Sequence, residues 1–172
     1  MSALEELQEQ SHHSGDNFDR HVAVTMAVIA AALAIVSVLG HIETTEELLN
    51  QQRASDQWSF YQAKAIRRYQ SEVARDVLVA LAKSEPAQSY ARNMERYQKE
   101  SEEIQVQAKE FQAESDHAGH KAIRLHMGEV FLEIAIVLAS LAILTKRKLL
   151  WMTAMGSGLV GMAIAATAAF VK

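Results

Sequence analysis

The chain has 172 residues, 21 acidic against 17 basic, for a formal net charge of −4, which gives no electrostatic case for a nucleic-acid partner. One Pro and 7 Gly leave too few turn formers for a β fold, and the absence of Cys excludes disulfides and thiolate metal sites. A mean hydropathy near zero conceals two opposite populations: three charge-poor apolar runs at 22–40, 130–145 and 149–171, and a polar stretch between the first two.

Residues 1–19 are acidic, with Glu5, Glu6, Glu9, Asp16 and Asp19. A secretory signal peptide wants positive charge there, so the apolar run that follows is expected to be a retained first transmembrane helix, 20–40. About 20 mostly apolar residues cross ~30 Å of hydrocarbon, and the two hydroxyls in this run, Thr25 and Ser37, can bond back to the preceding turn. Ala23, Ala27, Ala30, Ala34 and Ser37 follow a seam of alternating steps of four and three. Small side chains at such spacing let membrane helices approach closely, within one protomer or between protomers.

Residues 41–129 form the predicted extramembrane hairpin. In its first arm Trp58, Tyr61, Ala65, Tyr69, Val73, Val77 and Leu81 recur every three or four positions. Ser84-Glu85-Pro86 then breaks the pattern, because Pro cannot continue a helix interior, and the tip is expected at 84–86. The arms on either side, 41–83 and 87–129, are equal, as an antiparallel return to one membrane face requires; each would reach about 60 Å. The second arm keeps a heptad through Tyr90, Met94, Tyr97, Ser101, Ile104, Ala108, Phe111, Ser115, Ala118, Ala122 and Leu125, the spacing of a coiled-coil seam. Equal distance from the tip pairs Leu81 with Tyr90, Val77 with Met94, Val73 with Tyr97 and Trp58 with Phe111. Trp58, Tyr61, Tyr97, Ile104 and Phe111 are the expected packing or oligomer anchors.

The second span, 130–145, contains one carboxylate, Glu133. Lys146, Arg147 and Lys148 follow it, and three cations in mid-membrane would cost about 2.5–3.5 kcal/mol each. They are read as a tight loop before the third span, 149–171, where Thr153, Ser157, Gly161, Ala165 and Ala169 form a small-residue ridge. Short cationic loops stay in the cytoplasm, which places the amino terminus and 146–148 inside and the hairpin outside. The expected fold class is an all-α membrane protein: three transmembrane helices plus a long antiparallel helical (coiled-coil) hairpin between spans 1 and 2.

The stretch Ala54-Ser55-Asp56-Gln57-Trp58-Ser59-Phe60-Tyr61-Gln62-Ala63-Lys64-Ala65-Ile66-Arg67 resembles the signature of a bacterial family of uncharacterised membrane proteins, domain-of-unknown-function family 4337. Leu39-Gly40-His41 closing the first span, and Ile134 to Leu144 followed by Thr145-Lys146-Arg147-Lys148, extend the resemblance over nearly the whole chain. It implies a bacterial envelope protein and supports this layout; with the cationic loop inside, a bacterial inner membrane would carry the hairpin on its periplasmic side. It implies no activity and transfers no functional residue.

Two groups merit attention as chemistry. Asp116-His117-Ala118-Gly119-His120 sets His117 and His120 one turn apart, but a closed zinc site wants four ligands and His12-His13 are expected on the other side of the membrane. They are weak candidates, and neither metal nor cofactor is expected. Glu133 is the other, since an intramembrane carboxylate is costly and hints at ion handling; near the boundary it can also snorkel. No phosphate loop, HExxH or nucleophile elbow occurs, so no enzyme is expected. The expected function is a non-enzymatic, homo-oligomeric membrane protein using a coiled-coil stalk as scaffold or interaction module. Its partners would be the lipid bilayer, further copies of itself and an unidentified envelope protein. The alternative is an oligomeric ion channel or ion-coupled pore in which symmetry turns Glu133 into a ring.

Overall fold

The computed structural model describes the backbone of residues 3–171 and the side chains of residues 17–171. His12, His13 and most of the acidic segment 1–19 lie outside the described side chains. Among the described residues the chain is all-helical, with no strand: α1 (Ala3–Ala80), α2 (Ser84–Thr145) and α3 (Lys148–Ala166), closed by a 3₁₀ turn at Thr167–Phe170. Each of the three helices holds a stretch long and apolar enough to cross a membrane. Such length is possible because the one Pro, Pro86, falls in the first turn of α2, where a missing N–H costs nothing. The chain divides into two compact units, Met1–Thr44 with Gly119–Lys172, and Thr45–Ala118.

The second unit is a helical hairpin. Its tip lies at 81–83, not at the expected 84–86. Ala82 takes a left-handed φ of 56°, its N–H bonds the Val79 carbonyl at 3.0 Å, and the Lys83 N–H reaches back to Leu78 at 2.9 Å. That pair of bonds is a Schellman cap, and it ends α1 before Pro86 can. Moving the tip shifts the pairing of the arms. Phe111 lies against the Arg53 guanidinium, 5.8 Å from the ring centre, instead of Trp58. Tyr97 receives the Lys64 ammonium at 5.6 Å instead of Val73.

The predicted heptad of the second arm is its inner face. Ser101, Ala108 and Ser115 are buried, with Met94, Tyr97, Ile104 and Phe111 half-buried between them, though Tyr90 is exposed. On the first arm Trp58, Tyr61 and Ala65 turn inward, and Trp58 meets Tyr61 edge to face at 5.6 Å. Beyond them the expected seam leaves the interface: Tyr69 (57%), Val73 (63%), Val77 (54%) and Leu81 (61%) are exposed, and Ser71 occupies the inner face. The arms are joined instead by polar ties: the Lys64–Glu100 ion pair, Arg68 Nη1 donating to Gln98 Oε1 at 2.6 Å, and Ser115 Oγ donating to the Glu47 carbonyl at 3.0 Å.

In the first unit the apolar part of α1, the end of α2 and α3 pack together. Gly128 and Gly161 meet at backbone contact: a Cβ on Gly161 would lie 2.8 Å from the Gly128 carbonyl oxygen, and one on Gly128 would lie 2.7 Å from that of Gly161. Around them α3 buries Ala154, Gly158, Gly161 and Ala165, and the 3₁₀ turn buries Ala168. Along the expected ridge Gly161 and Ala165 are buried and Ser157 donates to the Phe131 carbonyl at 2.8 Å, whereas Thr153 and Ala169 are exposed. On α1 the inner face is Val22, Ile29, Leu33, Val36 and Gly40. The expected alanine seam is elsewhere: Ala23, Ala27, Ala30 and Ala34 are all exposed. In a helix apolar on every side, hydropathy cannot mark the packed face, and branched residues fill the gap left by α2's alanines.

Two outcomes follow from the close contacts. Ala82→Gly removes the left-handed penalty of a Cβ, about 1 kcal/mol, and should raise the hairpin's stability by that amount in thermal melts followed by circular dichroism. Gly161→Ala should cost about 1–3 kcal/mol, because backbone must move to admit the methyl. Gly156→Ala, whose Cβ direction is open, should be near neutral in the same detergent-based unfolding assay.

Candidate functional site

Where α1 leaves its apolar stretch, a polar cluster joins it to α2 within the first unit. Gly40 makes room for it: a Cβ there would lie 3.2 Å from the His126 ring. Thr44 Oγ1 donates to the Gly40 carbonyl at 2.9 Å and lies 3.1 Å from His126 Nε2. His126 Nδ1 lies 3.0 Å from Glu129 Oε2. With the Thr44 hydrogen given to Gly40, the Thr oxygen is left to accept from Nε2, and the Glu129 carboxylate accepts from Nδ1. The His41 ring stands edge to face against His126 at 6.2 Å, and Lys121 pairs with Glu43 at 3.6 Å.

Glu129 is one residue before the second apolar run. Its carboxyl is held below the ordinary glutamate range, first by the Ser37 hydroxyl and then by His126, against a smaller opposing effect of burial. In the hairpin Glu100 is likewise lowered, by its hydrogen bond to Lys64. Neither carboxylate stood out in the sequence. The signal was present in two short spacings, Gly40 with Thr44 and His126 with Glu129, but only the antiparallel register brings them together.

The other expected residues are dispersed. His117 is half-buried and His120 exposed, and among the described residues no three His, Cys, Asp or Glu side chains converge on a metal-sized site. Glu133 is exposed and makes no hydrogen bond or ion pair among the described residues. Its level in the unit follows from the neighbouring contacts. It lies one turn beyond the Glu129–Ser37 bond and short of the level where Gly158 faces Ile29 and Ala135. That places it between Ser37 and Ile29 along α1, inside the 22–40 run. At the opposite end Lys146, with φ 55°, ion-pairs with Asp19, and Arg147 precedes the first residue of α3, Lys148. Trp151 Nε1 donates to Thr25 Oγ1 at 3.1 Å. The cationic loop and the start of the first apolar run therefore share one end of the unit.

The linkage at Glu129 has a definite sign. A carboxyl whose folded value is depressed contributes stability above the ordinary value of 4.5 and loses it as pH falls through the lowered folded value. Acid titration of stability should therefore show a loss beginning near pH 4.5 and continuing below it, and Glu129→Gln should flatten that part of the curve.

A protein-family model described as "Domain of unknown function (DUF4337)" matches residues 18–171, and the chain belongs to that family. No curated protein and no solved structure matches it significantly.

Proposed function

We propose that this member of the family is a non-enzymatic, self-associating membrane protein that presents its helical hairpin as an interaction module. The segments 20–40, 130–145 and 149–171 span the bilayer in this reading, and the hairpin lies in water. The Asp19–Lys146 pair and the three adjacent cations support an amino terminus and loop on the cytoplasmic side of a bacterial inner membrane, with the hairpin periplasmic.

The observation that carries the reading is the stripe that the hairpin leaves uncovered. Ile66, Tyr69, Val73 and Val77 are each more than half exposed and recur at steps of three and four along one helix, with Arg67, Arg75 and Asp76 beside them. In a bilayer such exposure would be ordinary; in water, contiguous apolar side chains rimmed by charge mark a surface that another chain covers. A helix receiving such a stripe would read it as spaced anchors.

Native mass spectrometry from a mild detergent should give multiples of the 19.1 kDa chain, and a strictly monomeric mass would overturn self-association. Val73→Glu places a charge at the centre of the stripe without touching the inner face. It should weaken assembly or capture of an envelope partner several-fold, and complete indifference to it would remove the hairpin's role.

A further inference from the structure

We infer that the groove between α1 and α3, at the end of the first unit where α1 leaves its apolar run, binds an aminophospholipid. Glu43 and Lys121 would grip its head group while the apolar walls hold one acyl chain. The inference goes beyond self-association and rests only on the reading of 20–40, 130–145 and 149–171 as bilayer-spanning.

Three helices build the groove within one unit. Its floor is the buried set Val36, Leu125, Ala165 and Ala168. Ile35 and Leu39 form the α1 wall; Met162 and Ala166 of α3, with Ala169 of the 3₁₀ turn, form the other. All five wall residues are exposed. The space is about 390 Å³, within the span of roughly 300–1,000 Å³ usual for ligand sites. Met162 also borders an apolar hollow that continues towards Val28 and Val24, so a hydrocarbon chain entering beside Leu39 finds apolar wall ahead of it.

Lipid tails fill any apolar furrow in a bilayer, and the mouth is what sets this one apart. Glu43 and Lys121 line it, one turn beyond Gly40, where the first apolar run stops and the 3₁₀ turn ends the third. Head groups lie at that level. The two side chains stand 3.6 Å apart, close enough to attract but too far for a hydrogen bond, so both keep bonding capacity. Glu43 Oε2 is turned inward and accepts no hydrogen bond among the described residues, a costly state for a buried acceptor. Rotation about the last side-chain bond, soft for a carboxylate, presents either oxygen to the groove. With Lys121 29% and Glu43 22% exposed, a ligand can reach both.

These groups select a head by charge order and by donors. A carboxylate oxygen accepts from an ammonium N–H, and the Lys121 ammonium donates to a phosphate oxygen. A primary amine carried beside a phosphodiester offers both, opposite in sign to the pair that receives them. A choline head has the charge but no N–H to give. A glycerol head satisfies Lys121 and brings its phosphate charge beside Glu43 with no cation to offset it.

Native mass spectrometry of the full-length protein in mild detergent, titrated with phosphatidylethanolamine, phosphatidylcholine and phosphatidylglycerol of matched chains, tests the site. Phosphatidylethanolamine should be retained about ten-fold more strongly than either, the scale of one charge-assisted hydrogen bond. Glu43→Gln should remove most of that preference, and Lys121→Met should weaken phosphatidylethanolamine several-fold. Ala166→Phe fills the groove from an exposed wall, so it leaves the core intact and should lower retention of all three lipids. Circular dichroism of each variant should match that of the parent. Equal retention of the three heads, or a preference that survives Glu43→Gln, would overturn the head-group site; undiminished binding by Ala166→Phe would overturn the groove. A chain released from membranes by alkaline washing would instead end the spanning reading, and this inference with it.

Discussion

The contact between Gly128 and Gly161 sets the spacing on which the apolar unit depends. Neither position tolerates a Cβ without moving backbone, so α2 and α3 approach as closely as two helices can. Once they do, the neighbouring positions must also be small: Ala135, Ala139 and Ala142 on α2, Ala154 and Ala165 on α3. Large side chains fill the remaining space from α1, through Val22, Ile29 and Val36, and from α2 through Leu132. In lipid this division is what stabilises packing, since apolar surface gains little by leaving hydrocarbon and close van der Waals contact must supply the attraction.

The hairpin unit solves the same problem with different means. Its seam is built from small and hydroxyl residues, and the hydroxyls are satisfied by backbone carbonyls, locally for Ser71 and Ser101 and across the arms for Ser115. Apolar burial is modest, and cross-arm charge such as Lys64–Glu100 fixes the pairing. Exposed or half-exposed pairs of that kind contribute little stability, so their weight is in register. This economy leaves Ile66, Tyr69, Val73 and Val77 exposed.

The two carboxylates near the second apolar run differ in their contacts. Glu129 is held by Ser37 and His126 within its own chain, and it anchors the point where α1 meets α2. Glu133, one turn on, makes no such contact among the described residues.

By itself the sequence determined the helices, the apolar runs, the cationic turn at 146–148, the inner heptad of the second arm and the family. These follow from composition and period, which are properties of one helix at a time. Tertiary structure decided the rest. The tip fell at 81–83 because Ala82 accepts a left-handed backbone, a choice that Pro86 seemed to pre-empt and that moved Tyr69 and Val73 to the surface. The alanines of α1 face outward because an all-apolar helix carries no internal mark of its packed side. The cluster at Gly40, Thr44, His126 and Glu129 exists only when distant stretches run antiparallel, and one helix's periodicity is silent about the register of another.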